Sequence, residues 1–156
     1  METISKIAIT GVTGTTLMTA ASELMSLMAR EEFREPRLLR KMVGRLAPFL
    51  SKNWQVLTGW GAHYCMGFVF AATYVHLWES GLLRHNLRNG ILLGLASGVW
   101  GLLIWRITFK WHPLPPSVRR LDFYLQRIPA HVVFSVCVTA AYQLVRYSEQ
   151  RQKCAK

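Results

Sequence analysis

The sequence predicts an all-α membrane protein: four transmembrane helices in a single domain, residues 1–156, paired as two hairpins, with an amphipathic helix between the first two. Three observations predict it. Hydrophobic residues make up 51% of the chain, yet nineteen Lys and Arg stand against eight Asp and Glu, a net charge of +11. The two populations are segregated along the chain rather than interleaved at helical spacing, as a soluble bundle would require. The apolar stretches, about 4–28, 54–78, 87–107 and 124–147, are each long enough to cross a bilayer at about 1.5 Å per residue.

The first stretch has a thin basic lead, only Lys6, a long apolar part and a poor cleavage site near Ala20 and Ala21. It is therefore expected to be a retained span rather than a signal peptide. One of its faces carries Thr16, Thr19, Ala20 and the lone carboxylate Glu23.

The connection after it encodes a helix over about 36–47. Leu38, Leu39, Met42, Val43 and Leu46 fall on one face and Arg37, Arg40, Lys41 and Arg45 mostly on the other, with Pro36 suited to the first turn. Such a helix is expected to lie on the membrane surface, where each basic side chain gains about 1 kcal/mol near anionic lipid. No nucleic-acid motif accompanies the charge, so the partner implied is the lipid bilayer and not nucleic acid.

The second span is bracketed by Trp54 and Trp78, the third closes at Trp105 and Trp111, and Tyr124 and Tyr147 frame the fourth, a pattern that suggests rings held at headgroup level. Between the third and fourth, "KWHPLPPSVRR" reads as a rigid, extended strap, because its three closely spaced prolines forbid helix.

The second and fourth spans share a phrase. "AHYCMGFVFAATY" at 62–74 returns as "AHVVFSVCVTAAY" at 130–142, ungapped. Helical spacing puts His63, Gly67, Ala71 and Tyr74 on one face, and His131, Ser135, Thr139 and Tyr142 on the matching one. This suggests two hairpins related by a parallel internal repeat about an axis along the membrane normal. Gly90, Gly94, Gly98 and Gly101 repeat the same spacing in the third span and predict close helix packing.

Ionisable groups inside a membrane are costly, so Glu23, His63 and His131 are the candidate site, with Thr16, Thr19, Tyr74 and Tyr142 as polar interior. Two His and a Glu can bind a divalent metal with water, pass a proton, or, as a His pair, hold a haem for which Gly94 and Gly98 leave room. They can equally serve as hydrogen-bonding glue between helices. "GVTGTT" at 11–16 lacks the lysine of a phosphate loop, and Cys65, Cys137 and Cys154 have no metal or disulfide spacing. No nucleophile, base and orienting group come together, which argues against a hydrolase.

Orientation follows from the basic residues. Twelve fall in or beside the two long connections (Arg30, Arg34, Arg37, Arg40, Lys41, Arg45, Lys52, Arg106, Lys110, Arg119, Arg120, Arg127) and seven on the opposite side (Lys6, Arg84, Arg88, Arg146, Arg151, Lys153, Lys156). The bias places the long connections inside and both termini outside.

"GTTLMT" at 14–19, "EPRLL" at 35–39, "GWGAHYCMG" at 59–67, "WRITFKWHPLPP" at 105–116 and "AHVVFS" at 130–135 together resemble a group of small four-helix inner-membrane proteins of Bacteroidetes-type bacteria. The resemblance implies a bacterial inner membrane and a four-helix fold, and brings no activity, cofactor or catalytic residue. Two expectations for function stand at this point. One is a non-enzymatic packing, oligomerisation or partner subunit, as a homo-oligomer or with a membrane partner. The other is a metal-, haem- or proton-binding membrane protein.

Overall fold

The computed structural model describes residues 1–154; Lys156, counted above on the outer side, lies outside them. The described residues form five α-helices and no strand: α1 Thr3–Ala29, α2 Glu35–Leu46, α3 Lys52–Glu79, α4 Leu87–Trp111 and α5 Arg120–Cys154.

Local chemistry explains the boundaries. α1 stops where Arg30 turns left-handed (φ 54°) and its N–H closes on Ser26 O. α2 opens with Glu35 and Pro36 in its first turn, an acid where the helix end is partly positive and a residue whose missing N–H is no loss there. Ser51 caps α3, and Asn86 caps α4 by accepting from the Asn89 N–H at 2.9 Å. α4 gives way at His112, just before Pro113.

The helices run back and forth between two ends. At one end the Met1 ammonium meets Glu149 at 2.7 Å and Lys6 meets Glu79 at 2.8 Å, tying the start of α1 to the ends of α3 and α5. The opposite end holds α2 and both long connections. α1 packs against α3 and α5, and α4 packs against α5. The α4–α5 seam is closest at the glycines: a Cβ on Gly94 would fall 2.6 Å from Val132 Cα, and one on Gly98 2.8 Å from Ile128 Cα.

α3 and α4 have no comparable backbone packing. They are joined where the Tyr74 hydroxyl donates to Ser97 Oγ at 2.6 Å, close to Leu93 O, and a pocket separates them further along. A twofold built on the repeated phrase would make α3–α4 the counterpart of the close α1–α5 contact, and the helix packing departs from it there.

Polar side chains enter the interior and large apolar ones face outward. Thr10, Thr15, Ser135 and Arg127 are fully buried, whereas Leu92, Trp100, Leu103, Val69 and Leu17 are exposed. Two apolar clusters complete the interior. One, from Met18 to Tyr142, lies between α1, α3 and α5; the other joins Phe33, Leu38 and Met42 to Trp105, Phe109 and Phe123.

Three expectations change. Only α4 and α5 are both long and apolar enough to qualify as membrane spans; α1 and α3 are long enough, but their Thr, Ser, Gly, His and Tyr residues lower their mean hydropathy. The amphipathic helix exists, but Leu38 and Met42 are buried against protein rather than laid in lipid, while Arg37, Arg40, Lys41 and Arg45 stay exposed. It folds back antiparallel on α3: a Cβ on Gly44 would meet Gln55, one on Gly59 would lie 2.8 Å from Pro36 O and Arg40 N, and Glu35 reaches His63. Finally, Trp78 and Trp105 are core residues, not headgroup rings.

Candidate functional site

The site is assembled where the start of α2 meets the bundle. The chain leaving α1 dips inward, with the Phe33 N–H held by Ser26 Oγ at 3.0 Å and the Phe33 ring buried. This delivers Glu35 to the interior. Its Oε1 accepts from Arg127 Nη1 and, at 2.8 Å, from Trp105 Nε1, and its Oε2 lies 2.9 Å from His63 Nδ1. One carboxylate on α2 thus joins α3, α4 and α5.

Arg127 is fully buried and almost fully engaged. Nη2 donates to Phe33 O at 2.7 Å and to Gln126 Oε1, and the guanidinium stacks over Phe123 with its carbon 4.3 Å from the ring centre. Gln126 in turn donates to Ser22 Oγ on α1 at 3.1 Å. Burial alone would raise the pKa of Glu35, but the Arg127 guanidinium and the His63 hydrogen bond outweigh it and hold the carboxyl well below its usual range. Glu35 is therefore ionised at neutral pH, and its charge is balanced inside the protein.

An ionised carboxylate only accepts, so the proton between Glu35 and His63 sits on Nδ1. The opposite nitrogen, Nε2, lies 2.9 Å from Thr19 Oγ1, which is also 2.7 Å from Thr15 O. Thr19 has one hydroxyl hydrogen for two acceptors. Given to His63, it leaves a neutral imidazole; given to Thr15 O, it leaves Thr19 to accept from an imidazolium. The hydrogen-bond geometry accommodates both protonation states.

Above this floor lies the pocket between α3 and α4, with about 650 Å³ of empty volume including its mouth. Glu35, His63 and His131 line its base; Met66, Phe70, Ile104 and Phe134 are among its apolar walls. Ala62 and Met66 at its rim are exposed. His131 is buried, with its ring edge-on to Phe70 at 5.1 Å and Nδ1 3.3 Å from Ser97 Oγ.

Both histidines of the repeated phrase therefore reach one cavity, but Glu23 does not join them. It pairs with Arg34 at 2.7 Å, and its side chain is 43% exposed, because α1 turns it toward the α1–α2 connection. Glu35 takes the place expected of Glu23. Thr16 likewise faces outward, bonded to Tyr64 OH at 2.9 Å, whereas Thr19, Tyr74 and Tyr142 face inward. Among the described residues no three His, Cys, Asp or Glu side chains are arranged to hold a metal ion. The groove that Gly94 and Gly98 were expected to open for a haem is filled by the α5 backbone. Gly90 abuts Thr139, Gly67 abuts Thr15, and Gly101 faces His131 Nε2.

Sequence reasoning missed Glu35, quoted only within "EPRLL", and Arg127, counted with the connections. A signal was present for Arg127: four residues before His131, it shares that residue's helical face. For Glu35 the sequence shows only a helix start, since its depth is set by a fold-back that no periodicity encodes. In comparisons with family models, curated proteins and solved structures, the chain matches none.

Proposed function

We propose that the protein is an integral membrane protein that holds a lipid-soluble ligand in the pocket between α3 and α4, and that it is a binding protein rather than an enzyme. The observation that carries this reading is the pairing of a largely apolar cavity with a charge-balanced Glu35–Arg127–His63 floor. Glue residues alone would be expected to close on one another, whereas here α3 and α4 stand apart over the cavity.

The reading includes four spans. α1 and α3 have 27 and 28 residues, about 40 Å of helix each, and present Ile9, Val12, Leu17, Val69 and Met66 to the outside just as α4 presents Leu92, Val99 and Leu103. Polar groups paired inside the bundle and apolar side chains on its surface are the arrangement lipid favours. The resemblance noted from the sequence adds a bacterial inner membrane, and the basic connections add an inward-facing α2. No metal or haem enters this reading.

Native mass spectrometry of the detergent-purified protein tests it. The wild type should retain or take up a lipid-soluble molecule, and Ile104→Trp, which fills the pocket from α4, should lose it while remaining folded. An empty wild type that takes up no lipid, or equal retention by Ile104→Trp, would overturn the proposal in favour of a packing or partner subunit.

A further inference from the structure

We infer that the pocket selects a single-tailed amphiphile with an uncharged hydroxyl or carbonyl head, and that His131 Nε2 reads that head. This rests on the ligand-binding reading above and adds the chemical class. The inference starts from an unused polar atom. His131 is 4% exposed, its Nδ1 faces Ser97, and its Nε2 has no hydrogen-bond partner among the described residues although it lines the cavity. Gly101 keeps this edge open: any side chain there would begin 2.6 Å from Nε2. Nε2 opens into the cavity, and a ligand that covers it must either pair with it or leave it unsatisfied at a cost, so a ligand atom that hydrogen-bonds to it is favoured.

Charge sets the next limit. The cation nearest the floor, Arg127, already serves Glu35, Phe33 O and Gln126. Among the described residues no Lys or Arg lines the cavity, so a phosphate or carboxylate head would be buried without a counter-charge. The Glu35 charge is already balanced by Arg127 and its oxygens are engaged by Arg127, Trp105 and His63, so an ammonium head meets no unpaired carboxylate. A neutral head with one hydrogen-bonding oxygen fits both limits, because imidazole can offer Nε2 as donor or acceptor according to its tautomer.

Size and access set the tail. The cavity's empty volume of about 650 Å³ includes its mouth, room for a compact head and one chain rather than two. Exposed Met66 on the rim, with Leu103 and Ile107 on α4, leads outward along an apolar surface, so the tail extends toward lipid rather than water.

The test uses three photoreactive probes of equal chain length, a diazirine fatty alcohol, its phosphate monoester and the alkane, with full-length protein in phosphatidylcholine nanodiscs. The alcohol should label the pocket most strongly. His131→Phe, which keeps a flat ring against Phe70 and Phe134, should weaken alcohol labelling about tenfold and leave alkane labelling unchanged; His131→Gln, which restores an amide donor and acceptor, should recover part of it. Phosphate ester binding as tight as the alcohol, or equal loss of alcohol and alkane in His131→Phe, overturns the head-group inference while leaving the pocket reading standing. Labelling by no probe, or labelling of all three unaffected by Ile104→Trp, overturns the pocket reading itself.

Discussion

Glu35 and Glu23 form a natural pair of controls, two carboxylates of which one is enclosed and the other half in solvent. Glu35→Gln leaves the Arg127 charge buried without its partner and should destabilise the protein by about 3 kcal/mol, whereas Glu23→Gln should change stability by less than about 1 kcal/mol. Thermal unfolding in detergent reads both. Acid sharpens the contrast. The carboxyl of Glu35 is held well below its ordinary 4.5, so its contribution is complete at any pH above that value and is lost only as pH falls through the depressed native value. The stability gap between wild type and Glu35→Gln should therefore be constant from pH 7 to about 5 and narrow below pH 4.5. The sequence singled out both histidines from a repeated phrase but chose the wrong carboxylate, since the first span shows Glu23 on a polar face and nothing local shows that Arg34 draws it outward.

At the scale of helices, glycine has two different roles that spacing does not separate. Gly98 lies against the Ile128 backbone and Gly61 has open space around it. Gly98→Ala should destabilise by about 1–3 kcal/mol by forcing α4 from α5, while Gly61→Ala should stabilise by about 0.5–1 kcal/mol through helix propensity, both read as shifts in the same melting curve. Arg30 provides an independent check. Its left-handed backbone suits glycine, so Arg30→Gly should raise stability by about 1 kcal/mol without touching the bundle. The amphipathic helix was legible almost to the residue because its pattern is strong, but its docking was not. Amphipathicity states that a face needs cover and is silent on whether lipid or protein supplies it; here Trp105, Phe109 and Phe123 of α4 and α5 supply it, while Gly44 and Gly59 let α2 lie close against α3.

For the whole molecule, α3 gives the most direct test of membrane topology, since Ser51 and Ser80 flank its two ends and both are exposed. In a background free of the native cysteines, a membrane-impermeant maleimide added to intact cells should label Ser80→Cys and spare Ser51→Cys. Labelling of both, or of neither until the cells are opened, would mean that α3 does not cross. The all-helical class and the back-and-forth course were readable from the alternation of apolar and basic segments. The asymmetric gap between α3 and α4 was not, because the repeated phrase suggests equal partners while side chains specific to each helix set their separation.

The network around Glu35 also imposes an order on biogenesis. Trp105 lies 70 residues beyond Glu35 in the chain and Arg127 lies 92 beyond, so the carboxylate is synthesised long before the cation that balances it. At about 5–20 residues per second, roughly 5–20 s pass with α2 translated and its anchor absent. During that interval the fold-back is most easily accommodated outside the hydrocarbon, in water or among headgroups. Arrival of the last helix then acts as a latch, and a nascent chain released before Arg127 would present an unlatched α2 to quality-control proteases.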